Sequence, residues 1–150
     1  MNDDQIARIQ AELVRTYPGC RVKVTDDKQE MVAEIRDRFA VAVIERSRPH
    51  FHGTMREIYR VLRGVLYVAC GGQGHVLREG ESFTIEPGLI PYARAVGEPA
   101  CPKVESEPPW SPEDPTMSCN ATILPRQAGV SSAGTYEPRR CKSQEVSRHE

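Results

Sequence analysis

Two histidines separated by one residue, His50 and His52, are followed five positions later by a carboxylate, Glu57. Imidazole and carboxylate groups bind divalent transition metals, and a set of three such ligands leaves coordination positions open for water or substrate. Residues two apart on a β-strand project to the same face, so both imidazoles would point the same way. Because only GTMR separates His52 from Glu57, a hairpin would place the carboxylate beside the imidazoles. The spacing alone also fits a solvated strand and turn, since exposed strands carry polar residues at alternate positions.

A helix followed by many short strands must position these residues. Asn2 can cap a helix whose apolar residues recur at helical spacing, and Pro18-Gly19 ends it. From Arg21 onward the chain contains short segments that are rich in β-branched and aromatic residues and are separated by turn residues. These segments are Arg21–Thr25, Met31–Ile35, Phe39–Glu45, Glu57–Leu62, Val65–Cys70, Ser82–Ile85 and Tyr92–Val96. Such a series predicts an all-β sandwich or barrel with the helix packed on its outside.

Length and composition limit the classes of function. A chain of 150 residues is long enough for one domain with a sizeable core. With 20 Lys and Arg against 21 Asp and Glu, it lacks the basic excess that nucleic acid binding usually requires. No apolar run reaches the roughly 20 residues that span a bilayer, and MNDDQ is not the start of a secretory signal, so we predict a cytoplasmic protein without a membrane partner. The five cysteines are odd in number and form no CxxC pair, which indicates reduced thiols.

The composition changes after about Cys101, where CPKVESEPPWSPEDP is rich in proline, glutamate and serine. Proline cannot donate to a sheet ladder, so this region predicts at most one edge strand, near Lys103–Ser106. Residues 125–150 contain few large apolar side chains and are predicted to form a flexible, partly disordered tail. The predicted organisation is therefore a helix in residues 1–19, a barrel in residues 20–124 and the tail.

The chain resembles the cupin superfamily in two motifs. The spacing H-x-H-x4-E-x6-G, with Gly64 as its last residue, resembles the first cupin motif, and GESFTIEPGLIP, residues 80–91, resembles the second. The resemblance implies a jelly-roll barrel, the double-stranded β-helix, with one divalent metal ion, Fe, Zn, Mn or Ni, held by His50, His52 and Glu57. It also implies a small-molecule ligand and a homodimer as the default assembly.

Four positions depart from the family pattern. Ile44, Glu86 and Ala95 stand where the family has a glycine, a proline and an asparagine, and the fourth departure concerns the metal ligands. Where the second motif usually has a fourth metal ligand, a histidine, this chain has Pro91, which offers no side-chain ligand. Three alternatives follow. The metal is held by three protein ligands plus water or substrate, or Tyr92 turns inward as a substitute, or the metal is lost and the polar pocket binds something else.

Tyr59 and Val61 continue the strand face of Glu57, so both are predicted to line the pocket, and the Tyr59 hydroxyl is a candidate catalytic proton carrier. A packed barrel tyrosine is the alternative for Tyr59. Together with Tyr92, these residues form the predicted substrate-binding set. We predict a metal-dependent small-molecule enzyme of oxygenase, isomerase or lyase type. The alternatives are a non-catalytic module that binds or senses a small ligand and a scaffold for partner proteins.

Overall fold

The computed structural model describes residues 1–36 and 39–109, together with the backbone of residues 116–118. Within this part of the chain there are one α-helix and eleven β-strands. They are α1 Asp3–Thr16, β1 Arg21–Val24, β2 Glu30–Ile35, β3 Phe39–Ile44, β4 His50–His52, β5 Arg56–Arg63, β6 Leu66–Cys70, β7 Gln73–Leu77, β8 Ser82–Ile85, β9 Tyr92–Ala95, β10 Cys101–Glu107 and β11 Thr116–Ser118.

The strands form three sheets in which every pairing is antiparallel. The largest sheet has six strands in the order β1-β2-β3-β10-β5-β8, the second has the order β7-β6-β9, and the third pairs β11 with β4. Neighbours in space are often distant in sequence, since β10 lies between β3 and β5. This arrangement confirms the predicted all-β fold with an N-terminal helix, in the jelly-roll class.

The N-terminal helix begins at the predicted cap. The Asn2 side chain accepts a hydrogen bond from the Gln5 backbone N–H at 2.9 Å, and the Gln5 side chain accepts one from the Asn2 N–H at 2.9 Å. This capping box satisfies two of the N–H groups that a helix start leaves without partners. The helix ends at Thr16, and the chain then turns through Gly19, whose φ of +80° favours glycine.

Alternate residues of β2 and β3 supply two separate cores. Met31 and Ala33 on β2 face α1, whereas Val32 between them faces the barrel interior. The buried residues of the cluster under the helix are Ile9, Leu13, Met31, Ala33, Val41 and Val43. The buried residues of the barrel interior are Ala42, Ile44, Tyr59, Val61, Leu66, Val68, Cys70, Leu77, Ile85, Ala93 and Ala100. β2 and β3, in the six-stranded sheet, are therefore covered on both faces, with the helix on one side and the barrel interior on the other.

The strand predicted near Lys103–Ser106 exists, but the prediction that it is an edge strand is wrong. β10 pairs with β3 on one side and with β5 on the other. Pro102 does not prevent this position because the register of β10 against β5 shifts between Cys101 and Pro102. A proline at such an irregularity interrupts a ladder that is already broken.

The sequence also gave predictions for the C-terminal tail and for the cysteines. The tail predicted at residues 125–150 lies outside the described residues. Cys20, Cys70 and Cys101 are free thiols, as predicted, and Cys70 is buried in the barrel. Among the residues described, no helix combines the length and the apolar character needed to cross a membrane.

Candidate metal centre

The two histidines and the glutamate converge, but not through the predicted hairpin. β4, which carries His50 and His52, pairs with β11, whereas β5, which carries Glu57, lies between β10 and β8 in the six-stranded sheet. The hairpin prediction is therefore wrong, because Glu57 meets the imidazoles across two sheets rather than beside them in one ladder. The His52 carbonyl also accepts a hydrogen bond from the Gly88 N–H at 2.8 Å, which joins β4 to the loop after β8.

The distances within this group are slightly longer than those between the ligands of one metal ion. His52 Nε2 lies 3.3 Å from Glu57 Oε1, and His50 Nε2 lies 3.7 Å from Glu57 Oε2. The two imidazole rings are nearly perpendicular, at 87°, with centroids 5.5 Å apart. One ligand atom from each of the three residues lies within 4.8 Å of the others. Ligands about 2.1 Å from one ion lie about 3.0 to 3.4 Å from each other, so small side-chain movements would complete the set.

The tautomer of His50 is fixed by the main chain. Its Nδ1 lies 2.9 Å from the Arg48 carbonyl oxygen, which can only accept, so Nδ1 carries the proton in the neutral ring. The lone pair of the neutral imidazole is then on Nε2, the atom nearest Glu57. A hydrogen bond from the second ring nitrogen to a carbonyl is the usual support of a metal-binding histidine.

Glu57 is a buried carboxylate in an unusual environment. It is 9% exposed, and its Oε2 is buried without a hydrogen-bond partner. Burial by itself raises the pKa of the Glu57 carboxyl, but His50 and His52 outweigh this effect and lower the pKa to about 2. Burial by itself lowers the pKa of His50, but Glu57, the Arg48 carbonyl and Glu30 raise it to about 9. Without metal, the group therefore holds a proton that a cation would displace.

A divalent cation fits this group of residues. A buried carboxylate oxygen without a partner costs free energy, and a cation would satisfy it. Two imidazoles and one carboxylate also match the donor preferences of Fe, Zn, Mn and Ni. The observation that supports a metal most directly is therefore the unpartnered Oε2 of Glu57 beside the Nε2 atoms of two histidines.

The fourth-ligand position holds no substitute from the neighbouring strand. Pro91 is fully buried there, and Ala93 and Ala95, on the same face of β9, contact the barrel core. Tyr92 lies on the opposite face with the exposed Arg94, whose guanidinium stacks on the Tyr67 ring at 4.9 Å. This placement does not support Tyr92 as a metal ligand or as a pocket residue. Among the side chains that the structure describes, no further His, Cys, Asp or Glu joins the three ligands.

Tyr59 and Val61 lie on the predicted face of β5, at increasing depth. Tyr59 is 4% exposed and Val61 is 1% exposed, and both belong to the barrel core. Burial, together with Glu57 and Glu30 nearby, raises the pKa of the Tyr59 hydroxyl well above its ordinary value, so it stays protonated. Tyr59 therefore lies near the ligands as a hydrogen-bond donor, whereas Val61 has almost no surface left for a ligand.

The sequence prediction missed one charged residue near the group. Glu30 is half-buried at the start of β2, 20 residues before His50, and it shares a strand face with Val32. Burial raises the pKa of its carboxyl to about 7, with smaller effects from His50, Glu57 and Asp27. The alternation of polar and apolar residues in EMVAEI was a signal for two faces, but it did not tell which face lies inside the barrel.

Comparison with known proteins gives a family model and a fold. A family model described as Cupin domain matches residues 38–101, a segment that contains all three candidate ligands. No curated protein sequence matches the chain.

Several solved structures share the fold at low sequence identity. The capsular polysaccharide assembling protein CapF from Staphylococcus aureus has a TM-score of 0.56 at 16% identity, over 68% of this chain and 34% of CapF. An oxalate decarboxylase mutant from Bacillus subtilis has a TM-score of 0.54 at 15% identity, over 68% of this chain and 31% of that protein. A sugar phosphate isomerase from Silicibacter pomeroyi, described as from a cupin superfamily, has a TM-score of 0.50 at 16% identity, over 68% of this chain and 75% of that protein. At these identities the likeness shows the fold alone. The family-model match places residues 38–101 in the cupin superfamily, and the fold of the chain agrees with this assignment.

Proposed function

We propose that the protein is a metal-dependent enzyme that acts on a small molecule, with His50, His52 and Glu57 as the metal ligands. The observation that carries this proposal is the buried Oε2 of Glu57, which lacks a hydrogen-bond partner and lies 3.7 Å from His50 Nε2. In the metal-free protein that oxygen has the charge of protonated His50 nearby but no hydrogen bond to offset its burial. A cation turns the same arrangement into a favourable one.

The proposed cofactor is one divalent ion, Fe, Zn, Mn or Ni. When bound, such an ion supplies Lewis acid or redox chemistry, with positions left open for a substrate that chelates through carboxylate, hydroxyl or carbonyl oxygens. The chain itself fixes the ligands. The Arg48 carbonyl orients the His50 ring, and the hydrogen bond from the Gly88 N–H to the His52 carbonyl holds β4 in place.

Tyr59 is the proposed catalytic residue beside the ligands. Its hydroxyl stays protonated because burial and the nearby carboxylates raise its pKa well above the ordinary value. It would donate a hydrogen bond or a proton to a bound substrate. The reaction is of oxygenase, isomerase or lyase type. Two proteins with this fold are named as an oxalate decarboxylase and a sugar phosphate isomerase, which is the range of chemistry that one fold can host.

Metal content and affinity test the proposal. The protein is purified without chelator for elemental analysis, and the metal-free protein is then titrated with Co²⁺ by calorimetry. We expect about one ion per chain, and Glu57→Ala and His50→Ala should each weaken binding by more than about 100-fold, since loss of supporting residues alone costs 10-fold to 100-fold.

Matched controls exist for both residue types. His75 is half-buried on β7 and stacks on Phe83 at 4.6 Å, and Glu86 is an exposed carboxylate paired with Arg56. His75→Ala and Glu86→Ala should leave the Co²⁺ affinity unchanged. Equal Co²⁺ affinity in the wild type and in Glu57→Ala would refute the metal site.

A second candidate function is a non-catalytic module that binds or senses a small ligand. The observation that favours it is the fully buried Pro91 at the fourth-ligand position. Under this alternative, small molecules raise the melting temperature without turnover and without added metal, because binding to the native state stabilises it.

Assembly and location stay predictions. We expect a homodimer, which small-angle scattering would test, and a cytoplasmic location, which fractionation of the native host would test. A molecular mass from scattering that fits a monomer would contradict the homodimer prediction.

A further inference from the structure

Glu30 is a second carboxylate directed at the interior of the barrel. It is the first residue of β2 and pairs with Ile44 of the barrel core. Residues two apart on a strand share a face, so Glu30 lies on the face of Val32, which packs against the same core. Met31, between them, lies under the helix. The position of Glu30 therefore follows from the two buried faces of β2.

Hydrogen bonds hold this end of β2 against the segment that leads to His50. The Gln29 carbonyl accepts hydrogen bonds from Glu45 N–H at 2.9 Å and from Arg46 N–H at 3.3 Å. Arg48, whose carbonyl orients His50, also forms an ion pair with Asp27 at 3.2 Å. The turn before Glu30 and the turn before His50 are thus joined by three contacts.

The backbone of Glu30 is also fixed. Its N–H donates to the Thr25 hydroxyl at 3.1 Å, and its carbonyl accepts from the Thr25 N–H at 2.9 Å. The carboxylate, in contrast, accepts no hydrogen bond from any residue that the structure describes. Its charge contributes to the raised pKa values of His50 and Tyr59, which lie on two other strands. By its strand face Glu30 shares the barrel interior with Tyr59, and it does not belong to the group of three candidate ligands.

We propose that Glu30 determines ligand specificity at the metal centre by accepting a hydrogen bond from the bound small molecule. This inference rests on the proposed metal site and adds the class of ligand to it. A divalent ion nearby favours the ionised form of a carboxyl group, and an ionised carboxylate only accepts. The ligand must then bring the donor, so the preferred class is a chelating acid with a hydroxyl group beside its carboxylate.

Lactate and pyruvate form a matched pair of probes. Both chelate through two neighbouring oxygens and carry the same charge on the same carbon skeleton, but only lactate has a hydroxyl donor. The cobalt-loaded protein is titrated with each compound, with the visible absorption of Co²⁺ as the readout. The titrations are run at pH 8, above the value of about 7 to which burial raises the Glu30 pKa in the metal-free protein.

The measured quantity is the ratio of the two dissociation constants, pyruvate over lactate. We expect Glu30→Gln to lower this ratio by about tenfold or more, because the hydrogen bond to a charged acceptor is lost. Glu30→Asp keeps the charge and should lower the ratio less. Glu34→Gln is the control, since Glu34 lies on the same strand face but pairs with Arg21 and Lys23 at 2.5 Å each, and its ratio should equal that of the wild type.

The outcomes separate this inference from the proposed function. Titration with Co²⁺ alone tests the metal site, and failure of the wild type to bind cobalt overturns both proposals. If the wild type binds cobalt but Glu30→Gln has the wild-type ratio, the specificity role is overturned while the metal site stands. Loss of cobalt binding in both Glu30 variants, with a wild-type melting profile, would make Glu30 a support of the metal and would also overturn the specificity role.

Discussion

Along β2, neighbouring residues enter two different environments. Met31 and Ala33 are fully buried under the helix, in a cluster formed entirely by apolar side chains. Glu30 and Val32 face the barrel, where a histidine pair and two carboxylates share the interior with apolar residues. One strand thus contributes to a core that only packs and to a core that also holds charge.

The two faces of β2 differ in whether their burial stabilises the fold without a bound ligand. Burying apolar surface under α1 is favourable without further conditions. Burying Glu57 with an unpartnered oxygen is unfavourable unless a cation or donor satisfies it. Substitutions on the helix face should therefore change folding stability alone, whereas the barrel face should also control metal binding and the response to pH.

The largest expected effect of a single substitution on stability is on the helix face. Leu13→Ala removes a side chain that is 5% exposed, which should cost about 2 to 5 kcal/mol of unfolding free energy through lost burial and a residual cavity. Val14 is the matched control, since it is 47% exposed, and Val14→Ala should change stability by less than about 0.5 kcal/mol. Urea denaturation measures both. A change in Co²⁺ affinity of folded Leu13→Ala would show that the two faces are not independent.

The next effect is the pH dependence of the metal-free protein. The Glu30 pKa is raised from 4.5 to about 7 and that of His50 from 6.5 to about 9, so the folded state binds more protons than the unfolded state in both ranges. Stability should therefore fall as pH rises from about 5 to 9 in the presence of chelator, by up to about 1.4 kcal/mol per pH unit for each group. The Glu57 pKa is lowered from 4.5 to about 2, so stability should also fall as pH falls from about 4.5 to about 2.

Thermal or urea denaturation at pH 5, 7 and 9 measures this profile. Glu30→Gln should flatten the part between pH 5 and 7 and reduce, without removing, the part between pH 7 and 9, because Glu57 and the Arg48 carbonyl also raise the His50 pKa. Leu13→Ala should lower the whole curve without changing its shape. A metal-free stability that is constant or rises over this range would contradict the role given to the barrel face.

The smallest expected effect is on Tyr59. Tyr59→Phe keeps the ring that packs in the barrel core and removes only the hydroxyl. Because nothing in the described residues pairs with that hydroxyl, unfolding free energy should change by less than about 1 kcal/mol, and Co²⁺ affinity should not change. A large loss of stability would instead identify Tyr59 as a structural residue and remove it from the proposed catalytic set.

The sequence predicted that the three candidate metal ligands would converge, but not how they meet. His50, His52 and Glu57 could be named because ligand types and strand period are local properties. The hairpin was a wrong prediction, since β4 pairs with β11, which lies more than 60 residues further along the chain. Pairing between distant strands depends on the whole topology, which spacing within one segment does not contain.

Two other misses have physical causes of the same kind. Glu30 was overlooked because the strand pattern of β2 has two buried faces, and only the packed helix decides which face is outside. β10 was assigned to an edge because Pro102 lacks an N–H, yet the register shift at that residue removes the conflict. In both cases a local rule was correct, and the tertiary arrangement decided its consequence.

The hydrogen bond from His50 Nδ1 to the Arg48 carbonyl has a consequence for how freely this chain can vary. Its acceptor is a main-chain atom, which every amino acid at position 48 would supply. A substitution at position 48 can remove the ion pair with Asp27 while the His50 imidazole keeps its orientation. Laboratory libraries that randomise position 48 should therefore retain metal-competent proteins in large numbers.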